Sequence, residues 1–76
     1  MKRTFPEERR RLGAAIRKRR VALGYSQERL AERIKCHRNY VGCIERGEQS
    51  VTFDMFARFA QALGCKMAVL FGEAGC

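Results

Sequence analysis

Apolar positions recur along this chain at the three- and four-residue spacing of amphipathic helices, while strand-like alternation is weak throughout. From Pro6 to Leu23 the residues Leu12, Ala15, Ile16 and Leu23 fall at helical spacing. Pro6 suits a first helical position, where a missing amide costs nothing, Glu7 and Glu8 complement the positive end of the helix dipole, and Gly24 can close the helix. Ser26 then reads as the cap of a second helix over residues 26–34, with Leu30, Ala31 and Ile34 as its inward stripe. After a tight turn, a third helix over residues 37–46 turns Val41 and Ile44 inward and stops at Gly47. Thr52 can cap a fourth, whose Phe53, Phe56, Phe59, Ala60 and Leu63 cover one face before Gly64. From Cys65 to Phe71 the apolar run is too continuous to show a period, so it reads as one or two helical turns or as a short strand. Glu73 to Cys76 reads as a frayed tail.

Two short helices joined by a tight turn suggest a chemistry. A helix that reads DNA must push the side chains of its first turns into the major groove while its apolar face fastens it to a scaffold. Val41 and Ile44 are the fastening face, which leaves positions 37, 38, 39, 42 and 43 outward. Arg38 can fork onto a guanine and Asn39 can pair with an adenine, His37 joins the base-reading set, and Cys43 either joins it through van der Waals contact with a base edge or is a passive filler. Tyr40 either packs against the second helix or reaches a phosphate or a thymine methyl. Ser26 and Gln27 stand in the first turn of the second helix, where free amides and a neutral donor suit a phosphate oxygen. Arg46 and the turn amides from Gly47 onward form a matching anchor on the other side. Two features weaken the local helix starts: His37 stands where a Ser, Thr or Asp cap is usual, and Arg29 replaces the acid of a capping box. Gly42 costs the third helix roughly a further 1 kcal/mol relative to Ala.

Charge agrees with a polyanionic partner. Sixteen Lys and Arg oppose eight Asp and Glu, a formal net charge of +8, and nine of the basic residues, Lys2 and Arg3 included, fall within the first twenty positions against only Glu7 and Glu8. The chain from Val21 onward is nearly neutral, so its specificity must come from shape and hydrogen bonding. No apolar run approaches a membrane span and no signal-peptide core follows the basic start, which predicts a cytoplasmic chain without a membrane partner. The four cysteines form no C-x-x-C pair and a single histidine cannot complete a zinc set, so no metal is expected. No Ser/His/Asp or Cys/His set can be assembled; the reading is a binding protein, not an enzyme, with no cofactor and no small-molecule ligand.

The stretch Arg20-Val-Ala-Leu-Gly-Tyr-Ser-Gln-Glu-Arg-Leu-Ala-Glu-Arg-Ile, followed by Asn39-Tyr-Val-Gly-Cys-Ile-Glu-Arg-Gly-Glu, resembles the phage repressor and Cro family of helix-turn-helix proteins. The resemblance runs from about Leu12 to Phe71 and takes in Ala62-Leu-Gly and Leu70-Phe71. The Arg38-Asn-Tyr-Val run before Ile-Glu-Arg-Gly is also similar to the controller proteins of restriction-modification operons. The resemblance implies an all-α, compact five-helix bundle forming a single domain, a phosphate clamp at Gln27, and an ion pair between Arg20 and Glu45 that ties the first helix to the recognition helix. It also implies a small transcriptional regulator of double-stranded DNA.

One recognition helix reads few base pairs, so a homodimer on a roughly palindromic operator is expected. Met55, Met67, Val69, Leu70 and Phe71 are the apolar residues left for its two-fold interface, unless Leu70 or Phe71 folds back to close the core. A second reading is a DNA-binding antitoxin that grips another protein through its C-terminal segment, for which a strand within Cys65 to Phe71 would speak.

Overall fold

The computed structural model describes residues 4–76; Lys2 and Arg3 of the basic segment lie outside the described residues. Five helices follow in order, α1 (Pro6–Ala22), α2 (Gln27–Ile34), α3 (Arg38–Glu45), α4 (Phe53–Ala62) and α5 (Met67–Ala74), with no strand among the described residues. Each contributes to one core, in which Ile16, Leu30, Val41, Phe59, Leu63 and Leu70 are fully buried.

The ends of α2 show how local chemistry sets its length. The Ser26 hydroxyl accepts the Arg29 amide at 3.0 Å, so one of the free amides of the first turn is satisfied without a capping box. At the other end Lys35 takes the left-handed conformation (φ 59°), which costs a non-glycine residue roughly 1–2 kcal/mol. The cost is offset by closure of the helix: the amides of Lys35 and Cys36 donate to the carbonyls of Glu32 and Ala31, and the Arg58 guanidinium reaches the Ile34 carbonyl from α4.

One choice left open by the sequence is decided and two expectations require correction. Within Cys65 to Phe71 the chain is helical from Met67, and it stays so to Ala74, because Leu70 and Ala74, four residues apart, are both buried, whereas the apolar Val69 and Phe71 that obscured the period are exposed. Glu73 is not part of a frayed tail; its carboxylate takes a two-pronged bond from Arg19 of α1, both contacts at 2.6 Å, which holds the last turn of α5 against α1. Leu23 and Phe53 leave the core faces assigned to them, with exposures of 49% and 76%, because Leu23 lies past the end of α1 and Phe53 is the first residue of α4, where the chain has not yet turned inward.

The most consequential packing is between α1 and the end of α3. Gly13 is buried in the middle of α1, and a Cβ there would lie 2.2 Å from the Ile44 carbonyl oxygen and 2.5 Å from that of Glu45. Gly47, with φ +72°, sits as closely on Arg10, 2.8 Å separating its notional Cβ from the Arg10 Cα. Backbone therefore meets backbone at both places, and the recognition element is pressed onto α1 without side chains between them.

Gly13→Ala is accordingly expected to destabilise the chain by roughly 1–3 kcal/mol, toward the upper end because the obstacle is backbone. Thermal melting should show the loss, and an unchanged midpoint would contradict the close approach. The hydrogen bonds from Arg19 hold the Glu73 carboxyl below the usual carboxylate range. Since the folded-state value lies below the unfolded one of about 4.3, the pair stabilises the chain above that pH and its contribution disappears as the pH falls through the lowered value. Glu73→Gln should make stability less dependent on pH in that acid window, measured by denaturant melts from neutral pH downward.

Candidate nucleic-acid interface

Helix α3 presents two different sides. Val41 and Ile44, 0% and 2% exposed, lock it to the core, while His37, Arg38 and Asn39 at its start are exposed. His37 occupies the cap position, and its Nδ1 accepts the Asn39 amide at 3.1 Å. The imidazole therefore does the work of the missing Ser or Asp, and the first turn of α3 is better capped than its residue types suggest.

Behind this turn lies a buried polar network. Arg20 of α1 meets Glu45 at the end of α3 through two contacts of 2.6 and 3.1 Å, and both residues are buried. The third Arg20 nitrogen, Nη1, donates to the Tyr25 carbonyl at 2.7 Å, and the Gln27 amide donates to Glu45 Oε1 at 3.0 Å. No buried side-chain polar atom among the described residues lacks a partner, the condition under which a buried ion pair repays the removal of its charges from water. Arg20 and Glu45, paired by the resemblance, are thus brought together, and α1, α2 and α3 meet at one carboxylate.

Several expected site residues stand differently from the sequence reading. Gln27 is half-buried and commits one N–H to Glu45, which leaves the second for another acceptor. Gly42 does not lie outward: it is buried beneath the side chains of Arg46 and Gln27, 3.0 and 3.6 Å from where its Cβ would be, so a glycine that weakens the helix makes room for both to cross it. Cys43 is half-buried, with Arg46 Nη2 3.7 Å from its sulfur, and is not freely presented. The half-buried Tyr40 ring stacks on Phe59 of α4 at 6.3 Å, and burial pushes its hydroxyl pKa up, so one face of the ring is committed to the scaffold. Gly47 is buried, its amide donates to Ile44 and that of Glu48 to Cys43, so these two turn amides are not free for a phosphate. The Gly47 carbonyl instead accepts from Arg9 at 3.2 Å, one more tie to α1. Ser26 is exposed, with its hydroxyl engaged as the α2 cap.

Two acids that sequence reasoning did not single out shape the electrostatics. Arg46 forms a two-pronged pair with Glu48 at 2.9 and 3.2 Å, which draws the Glu48 carboxyl below its ordinary range, and Arg38 lies 3.7 Å from Glu28. Arg20, Arg38 and Arg46, the guanidiniums nearest α3, are therefore each matched by a carboxylate, whereas Arg33 on α2 lies over the Tyr25 ring. The two outer pairs are solvent-exposed and screened by water, so Arg38 and Arg46 can exchange partner at little cost. The Glu48 pairing, two residues from Arg46, depends on the turn after α3 and has no signature in helical spacing.

Of the apolar residues expected at a dimer interface, Leu70 is withdrawn: it is 0% exposed and fills the core of its own chain. Met55 and Met67 are half-buried against that core, Val69 is exposed, and Phe71 packs on Phe56 with ring centroids 4.3 Å apart while remaining 40% exposed. Phe5 and Phe53, not foreseen, join Phe71 along an apolar groove that also includes Leu12, Val51 and Phe56. Among the described residues no cluster of three or more His, Cys, Asp or Glu could hold a metal ion, and no helix is long and apolar enough to cross a membrane.

A helix-turn-helix family model matches residues 16–70 of the chain. Control protein C.SmaI of Serratia marcescens is 36% identical over 64 residues, which span 84% of this chain and 76% of the relative. Among solved structures, the clp gene regulator ClgR of Corynebacterium glutamicum superposes with a TM-score of 0.87 at 34% identity, over 90% of this chain and 72% of that one. The restriction-modification controller protein C.Esp1396I, crystallised as a tetramer in complex with its natural 35-base-pair operator, superposes with a TM-score of 0.79 at 25% identity, over 95% of this chain and 92% of that one.

Removing one partner of a buried pair leaves a desolvated charge, so Glu45→Ala should cost about 3–5 kcal/mol and Arg20→Ala a similar amount, while the double substitution should cost less than their sum. Urea unfolding of the three variants measures this coupling. Strict additivity would show that the two groups do not depend on each other.

Proposed function

The chain belongs to the helix-turn-helix family, and from that membership we propose that it is a transcriptional regulator of the restriction-modification controller type, reading a roughly palindromic operator in duplex DNA as a homodimer in the cytoplasm. DNA binding is the property of the family; the operator class and the residue roles are our reading. The observation that carries it is the division of α3, with Arg38 and Asn39 exposed at its start and Val41 and Ile44 buried behind them.

In this reading Arg38 turns from Glu28 onto the edge of a guanine, and Asn39 pairs with an adenine or a neighbouring base edge. His37 fixes the first turn and can offer its outer nitrogen to the groove. Cys43 contributes at most van der Waals contact beneath Arg46. Gln27 uses its second N–H, and Ser26 its side of the α2 N-terminus, for a backbone phosphate. Arg46 exchanges Glu48 for a phosphate on the opposite strand. These are binding roles, and the reading assigns the chain no catalytic one.

Two copies are needed because one α3 spans few base pairs. The groove that exposes Phe5, Phe53 and Phe71 is the apolar surface best suited to a two-fold partner, with the half-buried Met55 and Met67 and the exposed Val69 as further candidates. With α5 helical, the strand that would have spoken for the antitoxin reading is not found among the described residues.

Selection of bound duplexes from a random pool, repeated with Arg38→Ala and Gln27→Ala, tests the role assignment. Loss of Arg38 should relax preference at one base position per half-site and cost about 1–3 kcal/mol, whereas loss of Gln27 should weaken all duplexes about equally. Indistinguishable patterns would contradict the division between reading and clamping. For the dimer, Phe53→Lys should shift the chain toward monomer in sedimentation, without a matching loss of stability because Phe53 is 76% exposed. An unaltered association would remove this face from the interface.

A further inference from the structure

The surface around the recognition helix is electrically self-compensated, yet the chain carries a formal net charge of +8. The densest run of basic residues lies on α1. On α1, Arg10, Ala14, Arg17 and Val21 follow one another at four-, three- and four-residue steps, which align them in a single stripe, and all four are exposed. Arg11 and Lys18 flank the stripe and are exposed as well. The acids beside it are Glu7, which meets Arg10 at 3.3 Å in a solvent-exposed pair, Glu45, whose buried carboxylate is already taken by Arg20, and Glu73, which lies toward Lys18 at one edge and is taken by Arg19. Arg11 and Arg17 take part in no ion pair among the described residues.

The stripe also borders the recognition element. Arg10 touches Gly47, the residue after Arg46, and Arg17, Ala14, Lys18 and Val21 share a shallow cleft with Glu45 at the end of α3. Arg10 and Arg17 lie about 10 Å apart along the helix axis, a separation that lets both address one stretch of sugar-phosphate chain. We infer that the outward face of α1 is a second DNA-contact surface, which grips the phosphate backbone flanking the base pairs read by α3. The inference rests on the reading given under the proposed function and adds to it a division of labour. Attraction to DNA of any sequence comes from α1, where Arg11, Arg17 and Lys18 take part in no ion pair among the described residues and Arg10 has only an exposed one, and selection comes from α3, where Arg38 and Arg46 exchange a carboxylate for the DNA. The stripe is too poor in apolar surface for a membrane: between its basic residues it offers only Ala14 and Val21.

The test measures the dependence of operator affinity on salt for the full chain and for Arg17→Gln, Arg10→Gln and the double variant, on a long duplex and on one trimmed to the bases that selection defines. Removing one phosphate interaction lowers the slope of log K against log salt by about 0.9, so the double variant should be about 1.8 shallower on the long duplex, with its base preferences unchanged. The unsubstituted chain on the trimmed duplex should match the double variant on the long one. Arg17→Gln alone guards against a disturbance of packing at Gly47, since Arg17 does not touch that glycine. An unchanged slope, equal slopes on both duplexes for the unsubstituted chain, or loss of binding to anionic phospholipid vesicles with duplex binding intact would each overturn the inference. If the unsubstituted chain prefers no duplex over another, the proposed function itself fails, and that outcome is separable from a selective protein whose slope does not respond to α1.

Discussion

The carboxylate of Glu45 is the point on which this structure turns. It takes two contacts from Arg20 and one from Gln27, so a single buried charge fixes the end of the recognition helix relative to both α1 and α2. Such an arrangement contributes little net stability over an apolar substitute, since removing two charges from water costs several kcal/mol per ion. What it supplies is direction. A helix of eight residues has too little intrinsic stability to hold its own orientation, and apolar contacts at Val41 and Ile44 leave rotation about its axis loosely defined. The polar network and the backbone contacts at Gly13 and Gly47 remove that freedom.

The rest of the site follows from this anchorage. With its end pressed on α1, α3 projects its capped first turn outward, and Gly42 lets Gln27 and Arg46 cross its surface toward the same concavity. The guanidiniums there rest on nearby carboxylates, so the exposed charges are already ordered and weakly held. Recognition is then an exchange of partners, which lessens the attraction to arbitrary sequences while leaving strong donors for the matching one.

Much of this was legible in the sequence, where side-chain type and local spacing decide the outcome. Ser26 and Thr52 announce helix starts, and Leu30, Ala31, Ile34, Val41 and Ile44 carry a clear helical period. The remainder depends on contacts between distant parts of the chain. The continuous apolar run Met67 to Phe71 gives no period until Leu70 is seen to fill the core and Val69 to be left outside. One face of Tyr40 is committed to the scaffold because Phe59, nineteen positions later, lies beneath it. Gly13 was the one hint of the close approach to α3, since glycine within an otherwise strong helix often marks a neighbouring backbone. The pairing of Arg46 with Glu48 and the engagement of the Gly47 amide by Ile44 are products of turn geometry, which residue type alone does not specify.

The central claim is that the capped first turn of α3, held from behind by Glu45, is the surface that meets duplex DNA. Nuclear magnetic resonance of the isotopically labelled chain, titrated with its selected operator duplex, addresses it directly. The account predicts that the largest amide and side-chain shifts fall on His37 to Asn39, Gln27 and Arg46, with the core residues Leu63 and Leu70 little changed. Shifts confined to α5 and the groove beside Phe53, with α3 silent, would contradict it.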